Sequence, residues 1–244
     1  MYLVTTFLLV TVALWYGKIE QQQSYHNFAD DRVIVGVTNA VDVLSNLAIL
    51  VPGLLGIALM YKRQSTDYTY CQQFEPIILL TLFGGMVVTA FGSMWYHLNP
   101  NDSTLVWDRM AMTVVMTALC SLVISDRFSG LFATKIHIPL LFFGLFTVLY
   151  WHFVGDLRPY YIFKLQAPII LVVLLTFGQE SYDRVSDYVV TMMLFLLASI
   201  LEYEDYMVFD ATNIISGHSL KHLVAGIGFF WLLRMVEKRT LQAR

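Results

Sequence analysis

Charge is scarce in this sequence. Only 14% of its 244 residues are Asp, Glu, Lys or Arg, where a soluble domain carries about 25%. That excludes an ordinary water-soluble globule. Cysteine is nearly missing as well. Of the two present, Cys71 lies in a polar stretch and Cys120 in an apolar run, which excludes a disulfide framework. The net charge of −3, with no basic tract and no Gly-rich phosphate loop, excludes nucleic acid as a partner. Internal repeats, low-complexity tracts and long linkers are missing too, so the chain has room for one membrane domain.

What is present is apolar. Hydrophobic residues make up 57% of the chain, and the mean hydropathy is +0.63. Seven long apolar runs occupy residues 39–61, 76–97, 104–124, 138–153, 160–178, 185–201 and 216–236. Each is long enough to cross hydrocarbon as a helix, the state in which a segment bonds all its own backbone groups. The expected fold is an all-α integral membrane protein, a seven-transmembrane-helix bundle. A shorter apolar run, 2–16, opens the chain. It lacks the basic start and small-residue cleavage site of a signal peptide and reads as an additional, retained N-terminal helix. Residues 1–32 then form an N-terminal apolar helix with a polar extracytoplasmic segment, and 33–244 the membrane domain. The polar piece 18–32 reads as a loop, a short surface helix or a metal-binding cap.

The connections carry an orientation signal. Lys62, Arg63, Arg127, Lys135, Arg184, Arg234, Lys238, Arg239 and Arg244 all fall on one side of the seven runs. The positive-inside rule places that side, with the C-terminus, in the cytoplasm. The other side carries Asn99-Pro100-Asn101-Asp102, Asp156 with Arg158 and Lys164, and the acidic stretch 202–210.

Ionisable groups within membrane spans are expensive and mark function. Here they are His97, Asp108, His218 and His222, with Ser93 beside them. His218 and His222 are four apart, as are Ser93 and His97, so each pair shares one helix face. Asp108 follows His97 by eleven residues across a short polar turn. All five fall toward the extracytoplasmic ends of their runs. Three His ligands with an open position describe a catalytic zinc, which lowers the pKa of a bound water to about 7. A nearby carboxylate can shuttle the proton and a hydroxyl can donate to an oxyanion, roles that suit Asp108 and Ser93.

Taken singly, each residue has a plainer reading. The two histidines of the pair could hold a haem, line a proton path or bond neighbouring helices. Ser93 could be a packing residue, Asp108 a partner of Arg109, and His97 an interfacial side chain. Their matched depth favours a shared metal. Glu202 and Asp205 follow the sixth run on the same side, as supports for a ligand histidine or as solvated acids. Lys221 is expected to point to another face, toward headgroups. Trp95, Tyr96 and Trp107 fit an interfacial aromatic belt. Met112, Met116, Met192 and Met193 read as span-filling residues.

The run Gly92-Ser93-Met94-Trp95-Tyr96-His97, then Asp108, then His218-x-x-x-His222, resembles the alkaline ceramidases and their bacterial relatives, within the wider group of heptahelical hydrolases that includes the progestin and adiponectin receptors. Asn39 to Leu47 (NAVDVLSNL) also resembles that family's first span, and the likeness extends over about residues 25–238. The resemblance implies a zinc ion on His97, His218 and His222, with Asp108 orienting or deprotonating the attacking water and Ser93 supporting the oxyanion. It implies hydrolysis of the amide of ceramide or a related N-acyl lipid, with the bilayer as the source of substrate and no obligate protein partner. It also implies a calcium ion near Asn27, Asp30 and Asn39, although this stretch is less acidic than the family's and lacks its Trp. A bacterial inner membrane is the expected location, with the site near the extracytoplasmic face. The alternative is a receptor-like or signalling protein that keeps a structural zinc.

Overall fold

A computed structural model describes residues 10–11, 15–64, 70, 72–179 and 181–242. Cys71 and most of the N-terminal apolar run, 2–9 and 12–14, lie outside the described residues. The described chain is all-helical, without a named strand. Seven helical segments are long and apolar enough to cross a membrane. The first combines α1 (Ala40–Ser45) with α2 (Leu47–Gln64). The others are α3 (Glu75–Leu98), α4 (Asp102–Arg127), α5 (Gly130–Val154), α6 (Arg158–Phe177), α7 (Ser186–Tyr203) and α9 (Gly217–Lys238), with a short α8 (Asp205–Thr212) between the last two.

Most boundaries fall within a few residues of the apolar runs. The fourth starts eight residues earlier than residue 138, at Gly130. Ser129 caps it by accepting from the Phe132 N–H, and Lys135 stays exposed while the buried His137 bonds Ser121 and Thr81. One charge and one histidine ended the apolar pattern before the helix ended. The acidic stretch after the sixth run is partly helical, as α8, rather than wholly loop.

The helices pack as a chain of neighbours, α6 on α4, α4 on α3, α3 on α2, α2 on α9 and α9 on α7, with α5 against α4 and α6. The ring is weakest between the consecutive spans α6 and α7, which share no substantial packing. α4 is the central helix, the most buried of the seven spans. The apolar core fills the middle of the bundle with Leu79, Leu82, Phe83, Met86, Leu122 and Leu232, all fully buried.

The end opposite the histidines is locked by charge. Arg239 is buried between Asp126, at 2.7 Å from Nη1, and Glu75, which accepts from Nη2. The hydroxyls of Tyr182 and Tyr188 donate to Glu75 and Asp126 at 2.7 Å each. Arg127 turns inward onto the carbonyls of Leu174 and Gly178, and Arg63 onto that of Val236.

Candidate metal centre

The site is built where α3, α4 and α9 end or begin. The turn between α3 and α4 is fixed by a capping box. The Asn101 side chain accepts from the N–H groups of Ser103 and Thr104, and the Thr104 hydroxyl lies 3.2 Å from the Asn101 N–H. The last carbonyls of α3 would otherwise be unpaired. The Asn39 amide donates to the carbonyl of His97 at 2.8 Å, and the Thr38 hydroxyl to that of Leu98 at 2.7 Å. Asn39 does this from a left-handed backbone (φ 46°), a conformation Asn tolerates better than most residues.

The first turn of α9 is held by two carboxylates. Ser216 caps the helix by accepting from the Ser219 N–H at 3.0 Å. The hydroxyls of Ser216 and Ser219 both donate to Oδ1 of Asp42, at 3.2 and 2.5 Å, and the His218 N–H donates to Asp205 at 2.7 Å. Carboxylates suit a helix start, where unpaired N–H groups and the helix dipole are both positive.

These devices converge three imidazoles. The rings of His97, His218 and His222 lie 4.8 to 5.1 Å apart, centroid to centroid. One nitrogen from each lies within 4.8 Å of the others, so the trio could hold a metal ion. All three are buried, at 1%, 5% and 3% exposure. Nδ1 of His97 is buried without a hydrogen-bond partner. A buried nitrogen left unpaired is costly, and a metal would satisfy it if it bound there.

The tautomer of His222 follows from its neighbours. The Ser45 hydroxyl donates to the Asp42 carbonyl at 2.8 Å, so toward His222 Nδ1, also 2.8 Å away, it must accept. Nδ1 therefore carries the proton and Nε2 keeps its lone pair for a metal. An imidazole oriented through its second nitrogen is the usual support of a metal ligand. Asn46, whose amide donates to the Asp42 carbonyl, lies 3.4 Å from the same Nδ1.

Ser93 on α3 and Asp108 on α4 are neighbours across the helix pair. Ser93 is buried and Asp108 partly exposed. They meet because α3 and α4 approach closely at Gly92, where an added Cβ would lie 3.0 Å from the carbonyl oxygen of Trp107. Asp108 does not pair with Arg109. The guanidinium of Arg109 lies over Trp151 (4.2 Å), Tyr160 (5.1 Å) and Tyr25 (5.6 Å) and donates to Gln21 at 2.6 Å.

Residues 17–39 cross this end of the bundle as a strap. His26 bonds Tyr96 and Asp102 at 2.9 and 3.0 Å, and the Ala29 N–H donates to Asp205 at 2.9 Å. Phe28 sits on the histidines, 4.6 Å from the His97 ring and 4.7 Å from that of His218. The strap is therefore a cap over the trio. Tyr25 donates to Glu202 at 3.3 Å. The neighbouring Glu202 carboxylate raises the Tyr25 pKa above its ordinary value, so the phenol stays protonated.

Two sequence expectations are corrected. Lys221 does not reach for headgroups: its Nζ lies 2.8 Å from Nε2 of His218 and 2.9 Å from Glu202. At three residues' separation it shares the face of His218. Tyr96 is not a belt residue but is buried at 1% exposure, because His26 takes its hydroxyl; Trp95 and Trp107 remain exposed as expected. The proposed calcium residues are engaged elsewhere. Arg32 takes both carboxylate oxygens of Asp30, the Asn39 amide is on His97, and Asn27 is exposed. These contacts lend no support to a shared calcium position.

Reasoning from sequence missed Asp42, Ser45, Asn46 and Phe28 as site residues. Asp42 carried the signal that would have found the first three, an acid within an apolar span.

No protein-family model matches the chain, and comparison with curated proteins returns no match.

Proposed function

We propose that this protein is a zinc-dependent intramembrane hydrolase that cleaves the amide of a ceramide-like N-acyl lipid. The observation that carries the reading is the pairing of a buried trio of histidines with a neighbouring carboxylate and hydroxyl, Asp108 and Ser93, at the same end of the bundle. Metal retention alone has no need of that second pair. The resemblance to alkaline ceramidases, carried by these same residues, supports it.

His97, His218 and His222 would hold the ion, and nitrogen ligands of this kind suit zinc. Bound there, zinc would supply Lewis acidity, lowering the pKa of water and polarising a carbonyl. Asp108 would accept the proton of the attacking water and return it to the leaving amine. The Ser93 hydroxyl, next to that carboxylate, would donate to developing negative charge. Phe28 and the strap exclude bulk water from the top of the site. A bilayer substrate would reach it from the side, through the open boundary between α6 and α7. The partly exposed polar residues Asp108, Glu202 and Lys221 belong to α4, α7 and α9, the helices that border it.

The orientation is part of the proposal. Lys62, Lys135, Arg234 and Lys238 are exposed at the end opposite the histidines. Arg63, Arg127 and Arg239 are buried there and serve packing instead. The exposed set still favours a cytoplasmic C-terminus and an extracytoplasmic site, as in a bacterial inner membrane.

The test is zinc content of the purified protein together with fatty-acid release from a panel of N-acyl sphingoid and other N-acyl lipids. Wild type should carry about one zinc per chain and release fatty acid. Asp108→Asn should keep the metal and lose release, and His218→Ala should lose both. Release by metal-free protein would refute the mechanism. Zinc without release from any lipid would favour the receptor-like alternative.

A further inference from the structure

Lys221 is the one cation in contact with the histidine trio among the described residues. Its Nζ stands between Nε2 of His218, at 2.8 Å, and Oε1 of Glu202, at 2.9 Å. A neutral imidazole nitrogen has a single lone pair, and an ammonium has donors only. At this distance the ammonium occupies the lone pair that a metal would need on the same nitrogen.

We propose that Lys221 is the resident cation of the metal-free site and a gate on its loading. The ammonium and a divalent ion compete for Nε2 of His218, and Glu202 is the dock that keeps the ammonium when the ion takes that nitrogen. The proposal rests on reading the trio as a metal centre.

Three features of the structure support it. First, neutral imidazoles turned toward one another present lone pairs without donors, as Nε2 of His222 does. Such a cluster is stabilised by a cation, and Lys221 supplies one when no metal is bound. Second, the dock is built. Glu202 accepts from the Tyr25 hydroxyl at 3.3 Å as well as from Lys221. The pair is largely sheltered, with side-chain exposures of 19% for Lys221 and 28% for Glu202. The ammonium can leave the imidazole without leaving its carboxylate. Third, the ammonium sits on one ring of a trio whose centroids lie 4.8 to 5.1 Å apart, so its charge bears on the whole cluster. An arriving divalent ion therefore meets a positive charge already in place, and in a site shielded from water that repulsion is poorly screened.

The experiment is a double-mutant cycle on the full-length protein in detergent or nanodiscs, reading zinc affinity by competition with a chromogenic chelator. Lys221→Met removes the competitor and should bind zinc at least about tenfold tighter than wild type. Glu202→Gln removes the dock, leaves the ammonium on His218 and should bind about tenfold more weakly. The double variant should be as tight as Lys221→Met alone. A gain in Lys221→Met that disappears in the double variant would mean that the freed carboxylate had joined the ion, and would overturn the gate. Equal affinities in wild type and Lys221→Met, or weaker binding in the latter, would overturn it too. No zinc binding by wild type or any variant would overturn the metal centre itself and the gate with it. Lys221→Gln, which keeps a polar tip of similar reach, replaces Lys221→Met in the cycle if the apolar side chain prevents folding.

Discussion

Gly217, directly before His218, is a position where backbone contact sets a metal ligand. A Cβ added there would lie 2.2 Å from the carbonyl oxygen of Leu201 and 2.8 Å from Cα of Asp205. Both are backbone atoms, so neither can rotate aside. Ordinary contact begins at 3.4 Å, and Gly217→Ala therefore has to push the start of α9 away from α7 by roughly 1 Å. Overpacking of this kind costs about 1–3 kcal/mol. The shift would strain the bond from the His218 N–H to Asp205 and move the His218 imidazole out of register with His97 and His222. A misplacement of roughly 1 Å at a reacting centre costs on the order of 100-fold in rate. Zinc affinity, fatty-acid release and thermal midpoint should be compared with those of Gly84→Ala, whose added Cβ meets nothing within 4 Å. The control should match wild type in all three, and Gly217→Ala should fall in all three. Wild-type zinc affinity in a destabilised Gly217→Ala would show that this contact does not position His218. An unchanged midpoint would refute the packing argument altogether.

Ser45→Ala should weaken zinc binding by about 10–100-fold with little change in thermal midpoint, because it removes the acceptor that holds His222 Nδ1; equal zinc affinity would refute that role. Arg239→Met should destabilise by about 3–5 kcal/mol, since it strands the buried Glu75 and Asp126; denaturant titration in mixed micelles reads this, and a loss under about 1 kcal/mol would mean the cluster is hydrated. Asp156 anchors the strap, accepting from the Ile19 N–H and from Arg158. Burial pushes its pKa up, but the Arg158 side chain and the two backbone N–H groups outweigh burial and hold it below the ordinary value. A depressed carboxylate contributes stability above its unfolded pKa, about 3.9, and loses it as pH falls through the lower folded value. The difference in thermal midpoint between wild type and Asp156→Asn should therefore be constant from about pH 8 to 5 and shrink below about pH 4; a difference that grows on acidification would refute the assignment.

The fold was legible because lipid leaves the backbone few options: a run of apolar residues long enough to cross must be a helix, and seven such runs gave seven spans. The trio His97, His218 and His222 was legible for a related reason. Each is a polar group in a place where polar groups are expensive, and the spacing of His218 and His222 put those two on one helix face. What stayed hidden depended on tertiary contact. Lys221 was assigned to another face from its place between two histidines, yet at i+3 it follows His218 and finds Glu202 across from α7. Tyr96 has the composition of a belt residue, and only the strap's His26 explains its burial.

Under the proposed function, the strap and the open side of the bundle answer opposite demands of the same chemistry. A hydrolase of lipid amides has to admit a long apolar substrate while limiting water at the reacting atoms. Opening the end of the bundle would admit bulk water directly onto the histidines, and there the chain instead places Phe28 against two of the three rings. The strap is fixed at several points, through Ile19 to Asp156, Gln21 to Arg109, His26 to Tyr96 and Asp102, and Ala29 to Asp205. Such multiple anchoring suits a fixed cap better than a swinging lid, since each bond would have to break together with the others for it to open. Access then falls to the side. α6 and α7 are joined in sequence and yet share no substantial packing, and both leave most of their surface uncovered. In lipid that open boundary carries no hydrophobic penalty, because acyl chains are as apolar as the side chains they meet. A lipid tail can occupy it as readily as another helix would. The polar groups that a headgroup would meet on arriving there, Asp108, Glu202 and Lys221, are the ones the bundle leaves partly exposed.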